Sequence, residues 1–133
     1  MTSRLSPYIS FDGDARQALE FYQSVLGGTL NLNTFGESGQ EDPAYADKIM
    51  HGQLTTDTGF LLMASDTPPG MEYRPGGNIT VALTGDDADD LRRYWDGLSK
   101  DGTIAVPLEK QFWGDEFGAL VDRFGIDWMV NIS

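Results

Sequence analysis

The sequence predicts an α+β fold of two tandem β-α-β-β-β modules, and three observations predict it. First, residues 51–63 (HGQLTTDTGFLLM) align without a gap on residues 117–129 (FGALVDRFGIDWM), so that Gly52, Leu54, Gly59 and Met63 fall on Gly118, Leu120, Gly125 and Met129. Each copy reads as a β-hairpin, a strand and a tight turn ending in glycine followed by a more apolar strand. A repeat of this kind marks a tandem duplication. Second, each copy is preceded by one segment whose apolar residues recur at helical spacing. Third, a short alternating strand stands before each of those segments.

In chain order, Pro7 to Phe11 (PYISF) is the first strand, closed by the turn residues Asp12 and Gly13. Asp14 with Gln17 three positions on has the spacing of a capping box and predicts a helix start. Ala15, Ala18, Leu19, Tyr22, Val25 and Leu26 form its apolar stripe, and Gly27-Gly28 supplies a left-handed stop. Thr29 to Phe35 is the second strand, with Leu30 and Leu32 on one face. Gly36 to Pro43 (GESGQEDP) is polar and glycine-rich and reads as a loop. The hairpin completes module 1, at about residues 5–66.

Residues 67–77 (TPPGMEYRPGG) hold three prolines and three glycines between two structured halves and read as the linker. Asn78 to Thr84 alternates, with Ile79, Val81 and Leu83 on one face and Asn78, Thr80 and Ala82 on the other. The second helix opens at Asp86-Asp87, carries Ala88, Leu91, Trp95 and Leu98, and stops at Asp101-Gly102. A short strand at Thr103 to Val106, the segment Pro107 to Gly114 and the second hairpin complete module 2, at about residues 78–133. The whole chain, 1–133, is read as a single two-module domain.

The acidic cluster Asp86, Asp87, Asp89 and Asp90 lacks the sixth-position glycine and twelfth-position glutamate of an EF-hand loop, and carboxylates at a helix N-terminus oppose its dipole. The chain has 9 basic and 21 acidic residues, a formal charge of −12, which opposes nucleic acid and anionic membrane as partners. A cationic partner is compatible with that balance. With no cysteine, disulfides and thiolate chemistry are excluded, and no GxSxG elbow surrounds a serine. Met1 to Ser6 lack the basic and apolar regions of a signal peptide, so a cytoplasmic location is expected.

The stretches PYISF at 7–11, ALEFY at 18–22, VLGG at 25–28, DKIMH at 47–51, LMASDTPPG at 62–70, FWG at 112–114 and FGIDWMVN at 124–131 resemble the vicinal oxygen chelate superfamily of glyoxalase, bleomycin-resistance and dioxygenase proteins. Within it they are similar to the PhnB-like subgroup. The resemblance covers nearly the whole chain. It implies a glyoxalase-like fold whose mixed sheets cup a cleft with the helices outside, and a homodimer. Some members of that subgroup carry a methyltransferase label, which finds no support in these residues, since no Gly-rich loop after a strand suits a nucleoside cofactor.

Metal-dependent members place two ligands per module, on its first and last strands, so that a divalent ion polarises two substrate oxygens. Carried over residue by residue, those positions fall on Pro7 or its neighbours Ser6 and Tyr8, on Met63, on Asn78 and on Met129. A thioether is a poor ligand for hard or borderline ions, and no metal or other cofactor is expected. The resemblance then implies a small-molecule ligand in an apolar cleft floored by the two methionines, which adapt to varied shapes.

Alternation counted from Met63 and Met129 turns Leu61, Ser65, Asp127 and Asn131 the same way. Tyr8 and Thr80 join them from the first strands. His51, the one histidine, stands where the second copy has Phe117. It is the candidate proton-transfer residue of an alternative reading, a lyase or isomerase acting on an α-hydroxycarbonyl-type substrate. A metal site built on it would draw on Asp47, Asp115 or Glu116. Trp113 is an aromatic wall, able to stack on a ligand. Trp128 alternates with Ile126 and Val130 to the helix side, as core.

Overall fold

The computed structural model describes residues 3–133; Met1 and Thr2, part of the N-terminal stretch considered above, lie outside them. The elements run β1 (Tyr8–Phe11), α1 (Ala15–Leu26), β2 (Thr29–Thr34), β3 (Ile49–Thr55), β4 (Leu61–Asp66), β5 (Val81–Gly85), α2 (Ala88–Ser99), β6 (Thr103–Lys110), β7 (Glu116–Val121) and β8 (Asp127–Ile132). They make two open four-stranded mixed sheets, ordered β1-β4-β3-β2 and β5-β8-β7-β6, each with one helix. The first strand of each sheet is parallel to the last strand of its module, and the other pairs are antiparallel. The compact units are Met1–Pro75 and Gly76–Ser133.

In the first unit Ala15, Ala18, Leu19 and Tyr22 of α1 are fully buried, as the stripe predicts, and β3 and β4 add Ile49, Leu54, Leu62 and Ala64. In the second, Leu91, Tyr94, Trp95 and Leu98 of α2 are buried with Leu120, Trp128, Val130 and Ile132. The repeated residues now have physical reasons. Gly52 and Gly118 lie where the helix rests on its sheet: a Cβ on Gly52 would collide with the end of Leu19, and one on Gly118 would lie 2.7 Å from the Trp95 ring and 2.9 Å from Leu108 Cα. Leu54 and Leu120 are core. Gly59 and Gly125 close identical turns at φ 93° and 85°, a region that favours glycine. Thr56 and Asp122 hold those turns in the same way, each side-chain oxygen accepting from the backbone N–H four residues on, that of Phe60 or Ile126.

Three expectations need correction. The capping box at Asp14 does not form, for Asp14 makes no side-chain cap. The cap comes from 51 residues away: buried Asp66 accepts from Gly13 and Ala15 N–H through Oδ1, both at 2.9 Å, and from Ile49 N–H through Oδ2 at 2.8 Å. The strand expected at Asn78 to Thr84 runs from Val81 to Gly85, because its ladder begins only at the Val81–Trp128 pair. Asn78 and Thr80 therefore precede it, and Ile79 is 79% exposed rather than core. Finally, β6 does not stop at Val106 but continues to Lys110. It is an edge strand with register shifts on both sides of Val106, so Pro107 removes no ladder bond that the sheet needs.

Candidate functional site

Each sheet has one face covered by its helix and one free of it. On β3 and β4, Gly52, Leu54, Leu62, Ala64 and Asp66 turn toward α1, and alternation sends His51, Gln53, Leu61, Met63 and Ser65 to the helix-free face. The register assembles a row across all four strands, Asn31–Gln53–Met63–Tyr8. Beside it lie Asn33 paired with His51, and Ser65 paired with Ser10. The Tyr8 and His51 rings are 6.0 Å apart and tilted by 32°.

The second sheet repeats the layout with other side chains. Its corresponding row is Val106–Ala119–Met129–Ala82, and the neighbouring row pairs Glu109 with Phe117 and Asn131. Asn131 Nδ2 donates to Asp115 Oδ2 at 3.0 Å. Trp113, in the turn before β7, has its ring 6.3 Å from that of Phe117 and stands edge-on to Phe112 at 4.9 Å. Trp128 is 1% exposed on the helix side, as expected of core, and its Nε1 donates to Asp122 Oδ2 at 2.9 Å.

Of the residues singled out in the sequence, the first sheet thus brings Tyr8, His51, Met63 and Ser65 onto one face. The second does the same for Phe117, Met129 and Asn131, with Trp113 against Phe117. Asn78 and Thr80 are not part of that face's ladder, and Ala82 is the residue beside Met129. Sequence reasoning missed Asn31 and Gln53. The signal was present in the alternation of β2, where two asparagines oppose Leu30 and Leu32.

The donors around Met63 and Met129 do not suit a divalent Lewis acid. Their cross-strand neighbours are Tyr8 and Gln53 in one sheet and two alanines in the other. Of the carboxylates considered with His51, Asp115 is held by Asn131 and Glu116 pairs with Arg92 of α2. Among the described residues no three His, Asp or Glu side chains are grouped so as to hold an ion. No helix among them is long and apolar enough to cross a membrane.

Residues 4–130 match the model of the Glyoxalase/Bleomycin resistance protein/Dioxygenase superfamily. Protein YjdN of Escherichia coli is 31% identical over 139 residues, spanning 96% of this chain and 94% of its own. Among solved structures, protein PA1353 from Pseudomonas aeruginosa superposes with a TM-score of 0.88 at 36% identity, covering 99% of this chain and 98% of that one. A PhnB protein from Bacillus cereus shares the fold at a TM-score of 0.76 and 18% identity, covering 98% and 100%.

Proposed function

We infer, from the premise that this chain belongs to the Glyoxalase/Bleomycin resistance protein/Dioxygenase superfamily, that it is a small-molecule-binding protein that works without a metal ion. The observation that carries the reading is the pair of methionines. Met63 and Met129 occupy matching places on the last strands, where the resemblance puts metal ligands, and a thioether is a poor ligand for hard or borderline ions. What these faces offer instead is polarizable and aromatic surface with a few polar groups, the usual make-up of a small-molecule site.

Protein purified without chelator is expected to carry far less than one divalent ion per chain by elemental analysis. One tightly held zinc or nickel per chain overturns the metal-free reading. Ligand binding is expected to depend on Trp113, whose ring is half exposed and stands by Phe117. In a thermal-shift screen of small fragments, Trp113→Ala should weaken hits by about 1–2 kcal/mol, from the apolar area lost. Neutralising one exposed acid, as in Asp57→Asn, should cost less than about 1 kcal/mol. Equal stabilisation of Trp113→Ala and wild type removes Trp113 from the site. A screen in which no fragment stabilises the wild type overturns the binding function.

A second reading, a lyase or isomerase acting on an α-hydroxycarbonyl-type substrate, is favoured by one observation. His51 sits on the helix-free face with its ring near that of Tyr8, and an imidazole there supports a proton-transfer role. In that case His51→Gln abolishes turnover, whereas a recognition role leaves only a modest loss of affinity.

A further inference from the structure

The helix-free face of the first sheet differs from its duplicate in one consistent way: its strand residues are polar, yet none of them is charged. The central row reads Asn31–Gln53–Met63–Tyr8, flanked by His51 and Ser65. No position of this face on β1 to β4 is Asp, Glu, Lys or Arg, in a chain with 30 such residues. A solvated sheet face in so acidic a chain is ordinarily where charges go.

The second sheet serves as an internal control. Ladder positions equivalent to Asn31, Gln53 and Tyr8 hold Val106, Ala119 and Ala82. The same architecture is thus built there without amide or phenol at these three positions, so folding does not demand them there.

Hydrogen-bonding capacity on this face is largely uncommitted. Ser65 is 8% exposed and, among the described residues, its hydroxyl has no hydrogen-bond partner. Alternation with Ala64 and Asp66, which turn to the helix, aims it at the helix-free face. The side chains of Tyr8, Asn31 and His51 likewise have no hydrogen bond to the described residues, and that of Gln53 donates only to Thr55 Oγ1, at 3.3 Å. These groups are not sealed from solvent, since no side-chain N or O atom among the described residues is both buried and without a partner, so each is open to a bond from a ligand.

Resting on the binding function proposed above, we propose that this face recognises an uncharged small molecule presenting amide or hydroxyl groups. Amides, phenol, hydroxyl and imidazole together offer donors and acceptors side by side, which match groups that also do both. An ion placed over the central row would meet no opposite charge on this face of the four strands, the nearest charged groups being Glu37, bonded to Asn33 at the edge, and Arg4, near Thr55 and Leu61. Met63 and Leu61 supply an apolar strip within the same face for the ligand's carbon skeleton.

The test uses three probes that share an indole: N-acetyltryptophanamide, which is neutral and carries two amides, N-acetyltryptophan, an anion that keeps the acetamide, and tryptophanamide, a cation that keeps the carboxamide. Binding is followed by amide chemical-shift titration of the full chain. The neutral probe should bind about tenfold or more tightly than either ion, with shifts centred on His51, Gln53 and Ser65. Gln53→Ala and Tyr8→Ala copy the second sheet's residues into the first and should fold as wild type while losing most of the neutral probe's affinity. Gln53→Glu should lose it as well.

The proposal falls if either ion binds as tightly as the neutral probe, if shifts lie only around Trp113 and Phe117, if none of the three binds, or if the two alanine variants bind unchanged. It also falls if a second copy of the chain covers this face, seen as dimer mass by light scattering together with loss of the face's shifts on dilution-sensitive association. Hits in the fragment screen alongside any of these outcomes leave the binding function standing and remove only the ligand class.

Discussion

Asp66→Ala is expected to cost about 3–5 kcal/mol of unfolding free energy, a large share of the roughly 5–15 kcal/mol that holds a domain of this size. The carboxylate is 2% exposed and accepts three backbone N–H groups from two separate segments, Gly13 and Ala15 at the start of α1 and Ile49 at the start of β3. Hydrogen bonds to a charged group contribute about 1.5–3 kcal/mol each, and alanine leaves all three donors without their acceptor. The negative charge also stands at the N-terminus of α1, where it opposes the helix dipole. Asp66→Asn keeps an oxygen for Gly13 and Ala15 but turns an amide donor toward Ile49 N–H. It should fall between alanine and wild type, at about 1–3 kcal/mol. Urea denaturation followed by far-UV circular dichroism gives both values. A loss below about 1 kcal/mol for alanine would show that backbone or water replaces the carboxylate. Because Ile49 begins the strand that carries His51, the same variant should loosen the helix-free face of the first sheet.

Trp128→Ala should be comparably severe, at about 3–5 kcal/mol, through the second unit. The side chain is 1% exposed, and its indole N–H donates to buried Asp122, whose other oxygen holds the turn before β8 through Phe124 and Ile126. Trp128→Phe separates the two contributions. It keeps most of the apolar volume and removes only the bond to Asp122, so its loss should be near 1.5–3 kcal/mol. Were phenylalanine as damaging as alanine, the hydrogen bond and not the packing would be the larger effect. Met129 and Asn131 follow Trp128 on the same strand, so ligand affinity should decline in the alanine variant along with stability.

The duplicated hairpin was legible because its four repeated residues each answer a local demand: glycine under a helix, leucine in the core, glycine in a turn, methionine on the open face. Both helices were legible for the same reason, since a stripe at helical spacing has one way to be buried. Strand alternation also fixed which of Met63, Ser65, Met129 and Asn131 share a face, and placed His51 and Phe117 at matching points of the two copies.

Other features depend on partners far along the chain, and sequence spacing does not encode those. The local capping box at Asp14 gave way to Asp66, because a carboxylate at the end of β4 reaches the same donors and a third one as well. The start of β5 was set by where β8 begins to pair, which moved Asn78 and Thr80 out of the ladder and put Ala82 beside Met129. Pro107 did not end β6, because an edge strand can bulge around a residue with no N–H to give. The uncharged row Asn31–Gln53–Met63–Tyr8 draws one residue from each of four strands. Its members are 22, 10 and 55 positions apart in sequence taken pairwise along the row, so only the register of the folded sheet brings them together. Periodicity by itself determined the elements and their inner faces, which are properties of single segments. The tertiary structure decided the cap, the strand start and the polar row, because each is a contact between segments whose relative placement is fixed only when the core is closed.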